Sequence, residues 1–209
     1  MDFYDVFTKR HITRKFENEE IPEDVLNRIL KAGISAPSHN HLREWEFIIL
    51  KTDEEKENAL KFIKDSAAKQ TEYVKTLKME ESAEKMYKYA MPLQYLMLKE
   101  APIVILPLFK PDPDLFKPTS ISSFNSVSSI WCVIQNIFLA STYEGYACSM
   151  RIPVGDEGKN VVDSIGAPSD YLLPCYIGIG KAKKDEPKVG QKEIDLEKKK
   201  TFWQMVKCF

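Results

Sequence analysis

The sequence predicts a single domain, residues 1–209, of mixed helices and strands, on three observations. A chain of 209 residues makes one domain the default. Three short apolar runs, at 47–50, 102–109 and 174–180, read as strands. Longer segments with helical spacing lie between and around them, clearest near 22–36 and 127–144. Hydrophobic residues make up 44% and charged residues 29%, so a core of useful size can form in a globular protein.

Each element has a local cause. Pro22-Glu23-Asp24 opens a helix, because proline suits the first turn and acids complement the positive end of the dipole. Val25, Leu26, Ile29, Leu30 and Ile34 then recur on one face. Pro37 biases Ala36 toward an extended conformation and ends that helix. Phe47 to Leu50 reads as a buried strand that Trp45, a core candidate, leads into, and Asp53 to Lys64 as a surface helix. Residues 65–100 are helical in period, with Met86, Tyr89, Ala90, Leu93 and Met97 as a core-facing stripe. Pro102 to Phe109 is the second strand. The stretch 110–126 holds three prolines and many serines, and reads as a loop of the length used for lids. Val127 to Glu144 is a helix apolar almost all round, closed by Gly145 at C′ and expected to be buried in a core or a subunit interface. A short strand at 146–150, a helix around 159–165 and the strand at 174–180 complete the fold. Phe202, Trp203, Met205, Val206 and Phe209 need apolar surface to cover, on the same protomer or on a partner.

Several function classes are excluded. A net charge of −1 argues against a nucleic-acid or anionic-membrane partner. Cys132, Cys148, Cys175 and Cys208 form no C-x-x-C pair and have no neighbouring histidine, so no metal site is expected; they read as small apolar residues in a reducing compartment. The N-terminus does not read as a signal peptide. The most apolar stretch, 130–140, falls short of the ~20 residues that span a bilayer. A cytoplasmic protein is the expectation. No P-loop, G-x-S-x-G elbow or H-E-x-x-H occurs, and the glycines at 178 and 180 do not extend into G-x-G-x-x-G. With 8 glycines in the chain, a bound phosphate would need side-chain cations and ordinary amides.

Two segments can supply them, and they hold all three histidines. The first is Arg10-His11-Ile12-Thr13-Arg14-Lys15-Phe16 and the second runs from Ala36 through Pro37, Ser38, His39, His41 and Arg43 to Phe47. Arginine's planar fork suits phosphate oxygens. A solvated basic patch accounts for the first run about equally well. The second offers a hydroxyl and two imidazoles, and would serve either a ligand or the negative end of the helix before it.

In order, these segments resemble the opening of the nitroreductase-like FMN-dependent oxidoreductase family. Arg10, Arg14 and Phe16 match, then Ala36, Pro37, Ser38, Trp45 and Phe47. Ala101-Pro102, the helix ending at Gly145, Ile165 to Pro168 and Tyr176 to Gly180 match later landmarks. The resemblance implies an α+β three-layer sandwich, with a central, mostly antiparallel sheet flanked by helices, in an intertwined homodimer with FMN at the subunit interface. It implies Arg10, His11 and the Ile12 amide at the phosphate end, and Arg14 near N1 and O2 of the ring, tuning the flavin. Pro37, Ser38, His39 and His41 would come from the partner, and backbone donors from Ser149, Met150 and Arg151. Lys188 or Lys192 would replace a C-terminal arginine. The family's serine is Ile12 here, and His41, Arg43 and Glu44 stand where asparagine, glutamine and proline are usual.

The implied reaction passes a hydride from NADH or NADPH through FMN to nitroaromatics, quinones or similar small electrophiles by a ping-pong mechanism. No protein nucleophile or metal is needed; the protein binds, orients and tunes the cofactor. Rival expectations are dehalogenation or flavin fragmentation on the same fold, with 65–100 or 110–126 as a lid, and a non-catalytic FMN-binding protein.

Overall fold

A computed structural model of the chain describes residues 1–187 and 194–200. In chain order its main elements are α1 (Phe3–Lys9), α2 (Glu23–Ile34), β1 (Trp45–Leu50), α3 (Asp53–Val74), α4 (Glu81–Ala90), α5 (Leu96–Lys99), β2 (Ile103–Phe109), α6 (Asn125–Tyr143), β3 (Ala147–Arg151), α7 (Glu157–Ser164) and β4 (Tyr176–Gly180). The strands form one sheet in the order β1-β2-β4-β3, and every neighbouring pair is antiparallel. Trp45 pairs with Phe109, Ile103 with Ile179, and Ala147 with Gly180.

The architecture follows from β2, which is buried along its whole length. Strand side chains alternate between the two faces of a sheet, so a strand apolar at every position feeds two cores. Ile103, Ile105 and Phe109 enter one core with Leu26 and Ile29 of α2 and Ile130, Val133, Ile134 and Ile137 of α6. Val104, Leu106 and Leu108 enter the other with Leu60 and Ile63 of α3, Met97 and Leu98 of α5 and Val161 of α7. Helices therefore cover both faces, and the fold is the expected α+β three-layer sandwich. The apolar helix is α6, and Gly145 follows it at φ 84°. It packs so tightly on α2 that a Cβ on Gly33 would lie 2.9 Å from Ile137 Cγ1.

Some expectations change. The helix that begins at Asp53 runs to Val74 and is not a surface helix alone, because Ala59, Leu60, Ile63 and Ala67 are buried. Its start is set by a reciprocal capping box between Thr52 and Glu55. Trp45 is half-buried rather than enclosed, and Ile34 is exposed. Helix α1 was not legible beforehand; Asp2 caps it, and only Val6 is buried. The loop that follows β2 is clasped: Asp112 and Ser126 exchange two hydrogen bonds, and Ser123 donates to Asp114. Residues 202–209, with Cys208, lie outside the described residues.

Gly178 is where α5 meets the sheet. A Cβ there would sit 2.4 Å from Ser149 Oγ, 2.9 Å from Ala101 Cβ and 3.2 Å from the Met97 carbonyl oxygen. Gly178→Ala should destabilise the protein by about 1–3 kcal/mol through overpacking. Urea denaturation of the variant checks this, and unchanged stability would contradict so close an approach.

Candidate functional site

The segment 10–17 is stitched to two strands. Arg10 ends α1, with its backbone N–H donating to the Val6 carbonyl. Ile12 then forms a parallel bridge with Cys148, and the Thr13 N–H donates to the Cys148 carbonyl at 2.9 Å. Phe16 bridges Ala182 beyond β4, the Glu17 N–H donates to the Lys181 carbonyl at 2.8 Å, and the Lys183 N–H donates to the Lys15 carbonyl at 3.1 Å. The candidate residues Arg10 to Arg14 and Ser149 to Arg151, far apart in sequence, thus share the β3 edge of the sheet. The Ile12 side chain packs against the core, which gives a physical reason for an apolar residue at that position.

Arg14 is half-buried. Its guanidinium carbon lies 5.8 Å from the Tyr89 ring centroid, a cation–π geometry. Its backbone N–H donates to Glu186 Oε1, which also accepts the Tyr89 hydroxyl at 3.3 Å. Burial pulls the Arg14 guanidinium below its ordinary pKa, while the charges of Glu186 and Tyr89 oppose that pull. Arg14 Nε is buried with no hydrogen-bond partner among the described residues, and so are Glu186 Oε2 and Ser38 Oγ. A buried polar atom without a partner costs about 1–3 kcal/mol. Ser141 Oγ and the Tyr176 hydroxyl share this condition in the interior, so it is the position of Arg14 Nε and Ser38 Oγ in the two predicted segments that makes them candidates to meet a polar ligand.

The second segment sits elsewhere on the chain. Its His39 N–H donates to Ser129 Oγ on α6 at 3.0 Å, and His39 Nε2 pairs with the Asn40 side-chain amide. Asn40, His41 and Arg43 have φ of 50°, 54° and 51°. Non-glycine residues in this left-handed region carry strain of order 1–3 kcal/mol each, which collects at ligand-binding loops. Pro37, His39 and His41 are exposed. No hydrogen bond among the described residues joins this loop to Arg10–Arg14 of the same chain.

Ser149 is fully buried, its hydroxyl weakly hydrogen-bonded to the Met97 carbonyl at 3.4 Å. Met150 is half-buried, and the Arg151 side chain turns inward to Glu157. The Ile12 bridge takes the outer edge of β3 at Cys148. By ladder alternation the Met150 backbone faces outward beyond it, while the Ser149 and Arg151 backbones face β4, a correction to the expectation of donors from all three. Burial pushes the Cys148 thiol up to about 12, so it is no thiolate nucleophile at neutral pH. Lys188 and Lys192 lie outside the described residues. Tyr89 and Glu186 join Arg14 only in the fold: in the sequence Tyr89 belongs to a core-facing stripe, and nothing in local sequence pairs either with Arg14.

The sheet carries a cationic segment along its β3 edge, within an α+β fold. The family model described as "Nitroreductase family" matches residues 7–181, and the chain belongs to that family. Among its relatives is the iodotyrosine deiodinase of Thermotoga neapolitana, 25% identical over 191 residues, which span 91% of this chain and 94% of that one. The match to human iodotyrosine deiodinase 1 is 30% identical over 64 residues, 31% of this chain and 22% of that protein's length. In shape, a BluB-like flavoprotein of Clostridium difficile 630 aligns with a TM-score of 0.75 at 18% identity, covering 98% of this chain and 100% of that one. An iodotyrosine deiodinase bound to FMN and 3-iodo-L-tyrosine aligns with a TM-score of 0.71 at 20% identity, covering 93% and 97%. Among the described residues, no helix is long and apolar enough to cross a membrane.

Proposed function

We propose that the protein is an FMN-dependent oxidoreductase of nitroreductase type, acting as a homodimer of single-domain subunits on small electrophilic acceptors with NADH or NADPH as reductant. The observation that carries this reading is Arg14: a half-buried cation whose Nε lacks a partner among the described residues, on a segment stitched to the β3 edge. Bound FMN would supply the two-electron chemistry, taking a hydride equivalent from the nicotinamide and giving it to the acceptor. Arg10, His11 and the Ile12 amide hold its phosphate end. Arg14 faces N1 and O2, where a fixed cation stabilises developing negative charge. Within the stretch Ser149 to Arg151, the Met150 backbone faces the outer edge of β3 just beyond the Ile12 bridge and supplies the donor. Pro37, Ser38, His39 and His41 come from the partner subunit, in keeping with the exposure of that loop and its lack of bonds to Arg10–Arg14 in its own chain. Lys188 or Lys192 completes the phosphate site.

Reductive dehalogenation on the same fold is a second reading. Tyr89 beside Arg14, on α4, offers a ring to a flat aromatic substrate, and the chain-long similarity to the T. neapolitana deiodinase points the same way. It also favours 65–100 over the clasped loop at 110–126 as the lid. Purified protein should be yellow and bleach with NADH or NADPH without oxygen. The reduced form, offered iodotyrosine, nitroaromatics and quinones in parallel, should then be reoxidised by the true acceptor class. A yellow protein that no nicotinamide bleaches would overturn the NAD(P)H-linked reading, and one that takes up no FMN would overturn both.

A further inference from the structure

Glu186 is the one acidic side chain that meets the Arg14 segment directly among the described residues, and it arrives there from 172 positions away. The pairing of Phe16 with Ala182 and of Lys15 with Lys183 delivers it. One carboxylate oxygen takes the Arg14 amide and the Tyr89 hydroxyl; the other is buried without a partner among the described residues. The Tyr89 ring lies beside the guanidinium. Two elements that no short motif connects, α4 and the segment after β4, therefore converge on one cation.

We infer that Glu186, with Tyr89, is a counter-charge that sets how much positive field Arg14 presents to the flavin, and so sets the flavin's reduction potential. This rests on the FMN reading given above. The Glu186 carboxylate is held on the Arg14 backbone N–H and acts on the guanidinium through space, offsetting part of its field in a partly desolvated place where little water screens the charges. Reduced flavin is anionic at N1, so a weaker positive field makes it a stronger reductant. The Tyr89 hydroxyl draws charge from the carboxylate and moderates this effect. Burial and the charge of Glu186 both hold the phenol protonated, with Asp185 a further acid acting on it, so the hydrogen bond persists at neutral pH.

The two partners then carry opposite signs, which a merely structural role would not produce. Glu186→Gln keeps the shape and removes the charge; the flavin midpoint should become more positive. Tyr89→Phe keeps the ring and removes the donor; the carboxylate then acts more strongly, and the midpoint should become more negative. Spectroelectrochemical titration of FMN-loaded parent and variants at fixed pH reads both. A Glu186→Gln midpoint that stays put or falls overturns the inference, as does Tyr89→Phe shifting upward or not at all. If Glu186→Gln does not fold, Tyr89→Phe decides by itself. FMN titration of the parent is run first: no uptake would remove the functional reading and this inference with it, whereas uptake without opposed shifts removes the inference alone.

Discussion

Arg151→Ala should cost about 3–5 kcal/mol of stability, the expected result of stranding one charge of a buried pair. In a chain of this size that is a fall in melting temperature of roughly 6–20 °C. The Arg151 and Glu157 side chains are 1% and 2% exposed, with Nη2 and Oε2 2.7 Å apart. A second bond joins Arg151 Nε to Glu157 Oε1 at 3.1 Å, and Gln70 and Ser66 of α3 and, at 3.5 Å, Gln94 accept from the rest of the guanidinium. One arginine thus ties the end of β3 to α7 and α3. Replacing both charges, as in Arg151→Met with Glu157→Leu, should recover much of the loss, since an apolar pair leaves no lone buried ion. Recovery should be incomplete, because Ser66 and Gln70 lose their partner. Urea denaturation of both singles and the double, at one fixed FMN and protein concentration, tests this. Additive single losses, with no recovery in the double, would mean that the two charges are not coupled.

Arg10→Ala should weaken FMN by roughly 1.5–3 kcal/mol, the scale of a hydrogen bond to a charged group, or about 10- to 150-fold in Kd. Arg10 is half-buried and its backbone caps α1. Its side chain makes no ion pair or hydrogen bond to another described residue, so its loss should leave stability nearly unchanged and report on the ligand. The same variant tests the shared site. If Arg10 of one subunit and Ser38 and His39 of the other face one flavin, dimers mixed from Arg10→Ala and Ser38/His39-substituted subunits should regain one intact site of two. Failure to regain it despite proven subunit exchange, or a monomer that still holds FMN at micromolar concentration, would rule out a site built across subunits.

Much of the fold was legible because it rests on local rules. The strand runs are apolar at consecutive positions, so the sequence itself says that β2 is buried on both faces and needs helices above and below. Pro22, Pro37 and Gly145 punctuate α2 and α6 through backbone restrictions that any context preserves. Arg10, Arg14, Ser38 and the histidines were legible as candidates because their order resembles a family's opening. Helix α1 was missed because a seven-residue helix with one buried residue has almost no periodic signal. The end of α3 at Val74 was not legible because the helical period runs on through 65–91 with no glycine or proline to mark a stop.

By itself the sequence determined the strands, the two main helices of one layer, the family, and the cations that could meet an anionic cofactor. These depend on backbone conformation and side-chain chemistry, which neighbouring residues largely settle. Only the tertiary structure decided that Arg14 meets Glu186 and Tyr89, that Arg151 turns inward to Glu157 rather than outward to solvent, and that the loop at 110–126 is clasped by its aspartates and serines. The three-way contact of Glu186, Arg14 and Tyr89 joins residues far apart in the chain. Such partners are selected by burial, because a polar group taken from water must find its counterpart wherever packing has brought one.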